Sequence, residues 1–272
     1  MKRLLILARH SLGRIRLLLL VMGTLLAVFQ VFLIVVAGSI QRSDAFEEIG
    51  ALLPPFVREL LGPSVTSFMS FPGIVCVGYF HLSVMGALIA LSIVLATMPA
   101  SEIETGFMDL ILSRPMARHL IITRTVLIVV ISTAALLAMM LAGTWIGLHA
   151  LAPTDARWPS PGLVLSLATN LALLMLCWSG IAMAIGSAAR RRSVAGGLAG
   201  IIALAAFLLD YIARAWKPAE SVAWLSPFRY FNPFQLLDGN PLSAKNVFVL
   251  GSIAVSGFVA SYVIFSRRDI SH

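Results

Sequence analysis

Residues 17–39 read LLLLVMGTLLAVFQVFLIVVAGS, without an Asp, Glu, Lys or Arg among them. As a helix, at 1.5 Å rise per residue, this run is about 35 Å long and crosses a hydrocarbon core of about 30 Å. Five similar runs follow, at about 73–98, 125–152, 162–187, 194–213 and 246–265, and Asp210 is the only Asp, Glu, Lys or Arg in all six. They are continuous and rich in Leu, Ala, Ile and Val. A membrane barrel would instead show alternating segments of about ten residues. Within lipid every backbone polar group must be paired, which leaves helices. The predicted fold is all-α and polytopic, one membrane domain over residues 1–272 with six transmembrane helices.

The bulk numbers agree: 59% of the chain is hydrophobic and 12% is charged, outside the usual range of soluble domains. The net charge of +8 does not point to nucleic acid, because the basic residues sit at the ends of the runs. With the N-terminus inside, one side of the membrane carries 13 Lys or Arg and the other 7. That asymmetry places both termini in the cytoplasm. Cys76 and Cys177 fall inside spans with no metal-ligand spacing, so no disulfide and no metal is assigned. The first run is too long for a signal peptide and reads as a retained span.

In residues 1–16 the basic side chains Lys2, Arg3, Arg9, Arg14 and Arg16, with His10, share one arc of a helix; Leu4, Leu5, Leu7, Ala8, Leu12 and Ile15 share the other, and only Ile6 breaks the segregation. This predicts an amphipathic interfacial helix on anionic lipid, leading into the first span. On the outer side, Asp44 and Glu47 make a capping box in the 40–72 segment; Pro54 and Pro55 then break the chain, and a short helix over Phe56 to Leu61 ends at Gly62. The 214–245 segment mixes Trp216, Trp224, Phe228, Tyr230, Phe231 and Phe234 with four prolines, which predicts short surface or re-entrant helices at an aromatic belt.

The sequence contains no G-x-x-x-x-G-K-[ST], H-E-x-x-H or G-x-S-x-G, so the chain shows no nucleotide-binding loop and no enzyme motif of its own. Gln30, His81, His149, Asn170 and Asp210 are the polar side chains within the runs that bear on function. Gln30 and Asn170 suit hydrogen bonding across helices, while His149 and Asp210 lie near span ends. His81 alone reads as deep, and a lone histidine suits an interhelical contact better than a proton relay. The same shortage of midplane charge argues against secondary transport. A lipid-modifying enzyme using Asp210 and His149, or a membrane anchor for a soluble partner, are the rival readings.

The inner loop between the second and third runs carries the most information: ASEIETGFMDLILSRPMARHLIITR, residues 100–124. Ser101 and Glu104 form a capping box that predicts a helix starting just after Pro99. Ile103, Phe107, Leu110 and Ile111 then share one face, with Glu102 and Asp109 on its flank. Ser113, Arg114 and Pro115 restart the chain as a helix feeding the third span. A rigid amphipathic helix here suits either a lipid surface or a soluble partner. Its acidic flank opposes an anionic leaflet and favours the partner.

At this loop the chain resembles the ABC type-2 permeases, whose pattern is close to E-x-E-x-G-x-x-D-L-L-L-S-x-P-x-x-R ahead of the third of six spans. The matching residues are Glu102, Glu104, Gly106, Asp109, Leu110, Ile111, Leu112, Ser113, Pro115 and Arg118. Ser226 to Pro233 and Phe265 to Ile270 also resemble that family. Where its members often have Gly-Lys, this chain has Thr123 and Arg124, which keeps the positive charge and lacks the glycine. The resemblance implies a permease in the bacterial inner membrane, paired with a second copy or a sister permease and bound to two cytoplasmic ATPase subunits. ATP and Mg would sit on those subunits, with no cofactor on this chain. Glu102, Ile103, Glu104, Gly106, Phe107, Asp109, Leu110, Ile111, Arg114 and Arg118 would couple the ATPase to the spans. The resemblance implies export, or mechanical work on a periplasmic substrate, and no particular cargo.

Overall fold

A computed structural model describes residues 2–42, 70–105, 119–214 and 216–267. Six of its helical stretches are long and apolar enough to cross a membrane, and no strand occurs among the described residues. The protein is an all-α polytopic membrane protein. The spans are α1 (Lys2–Arg42), a broken second crossing made of α2 (Phe71–Cys76), a 3-10 turn (Val77–Tyr79) and α3 (Leu82–Ala96), then, after the short helix α4 (Met98–Glu104), α5 (His119–Leu151), α6 (Pro161–Ala188) and α7 (Arg192–Ala213). Two short helices, α8 (Lys217–Glu220) and α9 (Pro233–Leu237), precede the last span, α10 (Ala244–Arg267).

Two parallel helix pairs organise the bundle. In the first, Gly143 of α5 lies so close to Ala27 of α1 that an added Cβ would stand 2.7 Å from the Ala27 backbone. In the second, Gly180 of α6 and Gly257 of α10 bring backbone against backbone, with Ala254 alongside. Lipid tails give no hydrophobic drive between helices, so small residues at the crossings supply close packing instead. The core gathers α3, α5 and α6 around Trp178, which is 1% exposed. The α6 helix starts where Ser160 accepts a hydrogen bond from the Leu163 N–H and Pro161 fixes the first turn.

The outward faces are apolar. Leu17, Leu20, Val21, Leu25, Val28 and Phe32 project from α1, as do Val194, Leu198, Ile201 and Leu204 from α7. The buried face of α7 begins with Ala195, Ala199 and Ala203, one residue per turn, and continues to Asp210 and Ala213. An inside-out distribution of this kind suits lipid as solvent, and it accounts for residues that no aqueous surface would tolerate.

Three sequence expectations change. First, α1 runs without a break from Lys2 through Arg42, where an interfacial helix was expected to lead into a separate span. It is about 60 Å long; no Pro interrupts the junction at Arg14 and Arg16, and the helix runs on through Gly13. Second, the crossing expected at 73–98 is interrupted at Phe80 and His81. Tertiary contacts lie beside this break: the Gln30 amide fills the space beside Gly78, and Tyr79 hydroxyl pairs with Thr144 hydroxyl at 2.9 Å. Third, the inner-loop helix starts at Met98 with Pro99 in its first turn, and Ser101 lies inside it, not at its cap. Proline's fixed φ starts the helix earlier than the Ser-Glu spacing implies.

The 214–245 segment folds as the expected run of short helices: α8, 3-10 turns at Ala223–Leu225 and Pro227–Tyr230, and α9. Only part of it is a belt. Trp216 and Trp224 are exposed, whereas Phe228 and Phe231 are wedged into the core, Phe228 with its ring centroid 5.6 Å from that of Trp178. The helix expected over Phe56 to Leu61, with its cap at Asp44 and Glu47, lies outside the described residues.

Candidate functional site

The end of the bundle that carries α4 brings together residues from five elements. Glu102 of α4 points inward to Arg124 of α5, both of its carboxylate oxygens lying 2.7 Å from one guanidinium nitrogen, Nη2. The side chains are 9% and 2% exposed, so the pair is shut away from water. Arg124 Nε has no hydrogen-bond partner among the described residues. Two residues on, the exposed Glu104 accepts a 2.8 Å hydrogen bond from the backbone N–H of Arg192 at the start of α7. The α7 N-cap, Arg191, makes no side-chain cap bond, so Glu104 caps α7 from another element and sets a negative charge against its N-terminal dipole.

The two acids of the E-x-E sequence therefore hold two different spans. Glu102 was expected on a flank open to a partner, and it is instead buried and committed to Arg124. Ile103 is half-buried against the core. Arg124 and Arg192 do not figure among the sequence candidates for this site. The retained charge at the Thr123–Arg124 position is the one signal pointing to Arg124, since nothing in local spacing joins residues 22 apart on different helices. Thr123 also acts: its hydroxyl lies 2.8 Å from that of Tyr262, tying α5 to α10. A cleft of about 140 Å³ opens beside these contacts, lined by Arg14, Leu18, Met98, Glu102 and Arg192 among others. Gly106, Phe107, Asp109, Leu110, Ile111, Arg114 and Arg118 lie outside the described residues.

The polar residues within the spans are placed differently from expectation. His81 is not deep in a helix; it is exposed at the start of α3, its ring edge-on to Phe29 with centroids 5.6 Å apart. Gln30 and Asn170 are buried, yet neither amide makes a hydrogen bond among the described residues, so they do not act as hydrogen-bonding glue between helices. His149 Nδ1–H donates to the Trp145 carbonyl at 2.8 Å, and its ring meets Trp158. Asp210 accepts from Arg214 one turn later on α7's end. No hydrogen bond joins His149 to Asp210 among the described residues; each is held by a partner on its own helix end. Among the same residues no three His, Cys, Asp or Glu converge, and Cys76 and Cys177 are free and buried.

No family model matches the chain, and no curated protein matches it. The geometry of the site is therefore what bears on function.

Proposed function

We propose that this chain is the membrane-spanning permease subunit of an ATP-driven transporter, an exporter in the bacterial inner membrane with both termini cytoplasmic. In this reading a separate cytoplasmic ATPase carries ATP and Mg and grips the loop from Glu102 to Arg118, and a second permease copy or a sister chain completes the pathway. The observation that carries it is the double attachment of α4. Glu102 holds it to α5 through a buried ion pair, and Glu104 holds it to the start of α7. A push on the loop is then delivered to two spans together. An interior pair with little slack transmits displacement, since packed interiors have few voids to absorb it.

The test is a detergent pull-down from cells expressing the chain with its candidate ATPase. Wild type and Leu165→Ala, a change on the exposed face of α6, should recover the ATPase equally. Leu110→Asp should lose it, because forcing an unpaired carboxylate into an apolar contact costs several kcal/mol. Equal recovery by all three, or ATP hydrolysis by the purified chain alone, would remove this reading.

A further inference from the structure

At the end of the bundle opposite α4 lies a cavity of about 220 Å³ between α3, the end of α7 and the 227–237 helices. Phe80, Phe207, Phe228, Phe231 and Phe234 wall it. The rings meet at steep angles, Phe80 on Phe234 at 58° and Phe207 on Phe228 at 81°, with centroids 5.5 Å apart in both pairs. One carboxylate, Asp210, opens into this apolar box, its residue only 6% exposed. Arg214 Nε and Nη2 both donate to the same oxygen, Oδ2, at 3.1 and 2.7 Å. Among the described residues Oδ1 accepts no hydrogen bond. Arg214 also lines the cavity, and its side chain, 58% exposed, stands on the open side.

We propose that this cavity binds an organic ammonium ion, with Asp210 as counter-charge and the phenyl rings as the rest of its shell. Ring faces carry negative potential and attract a cation that lacks tightly held water. A quaternary ammonium group is such a cation, because its methyl groups leave no N–H to hydrate. A metal ion is a poor match: hard cations need several oxygen ligands, and the box offers one carboxylate. A neutral apolar molecule is also a poor match, since it would strip water from Oδ1 and return nothing. Arg214 shares the carboxylate and competes with the ligand for it. The site lies far along the chain from the α4 contacts and stands independently of the permease reading.

The experiment is calorimetric titration of choline into the purified protein in phosphatidylglycerol nanodiscs. Choline should bind, and its uncharged isostere, with carbon in place of the quaternary nitrogen, should bind roughly tenfold more weakly or worse. Asp210→Asn should lose a similar factor, Phe207→Leu should weaken binding several-fold, and Arg214→Gln should tighten it. Tightening is the decisive sign, because a site that needed Arg214 for its shape would weaken instead, and this variant decides even where Asp210→Asn fails to fold. Repeating the titration in phosphatidylcholine nanodiscs separates two sources of the same group. A fall in choline affinity there identifies the lipid headgroup as occupant, and an unchanged affinity identifies the free ion. Absence of choline binding up to millimolar concentrations, equal binding of the uncharged isostere, or weaker binding by Arg214→Gln would overturn the site.

Discussion

The two ends of the bundle each carry an ion pair involving a buried carboxylate, and the two pairs are built on opposite plans. Glu102 and Arg124 come from different helices, 22 residues apart, and are both shut from solvent. Asp210 and Arg214 are one turn apart on one helix end, with the arginine largely exposed. The first pair joins elements; the second joins a helix end to itself. The two carboxylates are about equally buried, at 9% and 8% exposed, so the difference lies in the arginines, 2% exposed for Arg124 and 58% for Arg214. Losing a partner costs far more where both charges are shut from water than where one of them still reaches it.

The largest expected effect follows from breaking the interior pair. Glu102→Ala leaves the Arg124 guanidinium buried and unpaired, and should cost about 3 to 5 kcal/mol, read as a drop in Tm of the detergent-purified protein. The double change Glu102→Leu with Arg124→Leu should recover most of that loss, since a well-packed apolar replacement of a buried pair is often neutral or better. If the chain is the permease proposed above and the double variant still works with the candidate ATPase, the pair would be structural and not a transmitting contact. A double variant as unstable as Glu102→Ala would show that hydrogen-bond geometry, and not charge pairing, holds α4.

Glu104 gives an intermediate case within the same site. Its carboxylate is exposed but caps α7, so Glu104→Ala should cost about 1 kcal/mol, the usual loss for a helix N-cap. Glu104→Gln should recover part of it, because the amide oxygen still accepts from the Arg192 N–H while the favourable charge at the helix dipole is gone. A loss at Glu104 equal to that at Glu102 would erase the distinction between a buried tie and a surface cap.

Much of this was legible in the chain. Six uncharged runs predict six spans, and α6 and α7 match their expected limits of 162–187 and 194–213 within two residues. The run of short helices near Pro218, Pro227 and Pro233 was readable for the same reason, since proline imposes local geometry. What stayed hidden depends on contacts between distant residues. The break at Phe80 and His81 has only Gly78 as a local signal; the contacts beside it, Gln30 against Gly78 and Tyr79 against Thr144, join residues far apart in the chain. Glu102 reads as an exposed flank acid because helical periodicity reports a face and not the neighbour behind it. Asp210 reads as a span-end residue near water, and only the fold surrounds it with phenyl rings drawn from three separate stretches of chain.

The smallest expected effect sharpens the comparison from the other side. Arg214→Gln removes the exposed partner of Asp210; the carboxylate is as buried as that of Glu102, but the glutamine amide can donate to it and water reaches the position the guanidinium leaves, so the cost should be about 1 kcal/mol, below that of Glu102→Ala. It should also depend on salt. At low ionic strength wild type should exceed the variant by the most, and the gap should close as the Debye length shrinks from about 30 Å at 0.01 M to about 3 Å at 1 M. Glu102→Ala should show no such closing, because salt does not reach its pair. The measurement is Tm against salt concentration for wild type and both variants, each taken as the difference from wild type so that general salt effects cancel. A salt-independent loss of several kcal/mol at Arg214 would mean that burial of the Asp210 carboxylate, and not exposure of Arg214, sets the strength of the pair. The opposite end would then be another structural lock and not a carboxylate open to exchange.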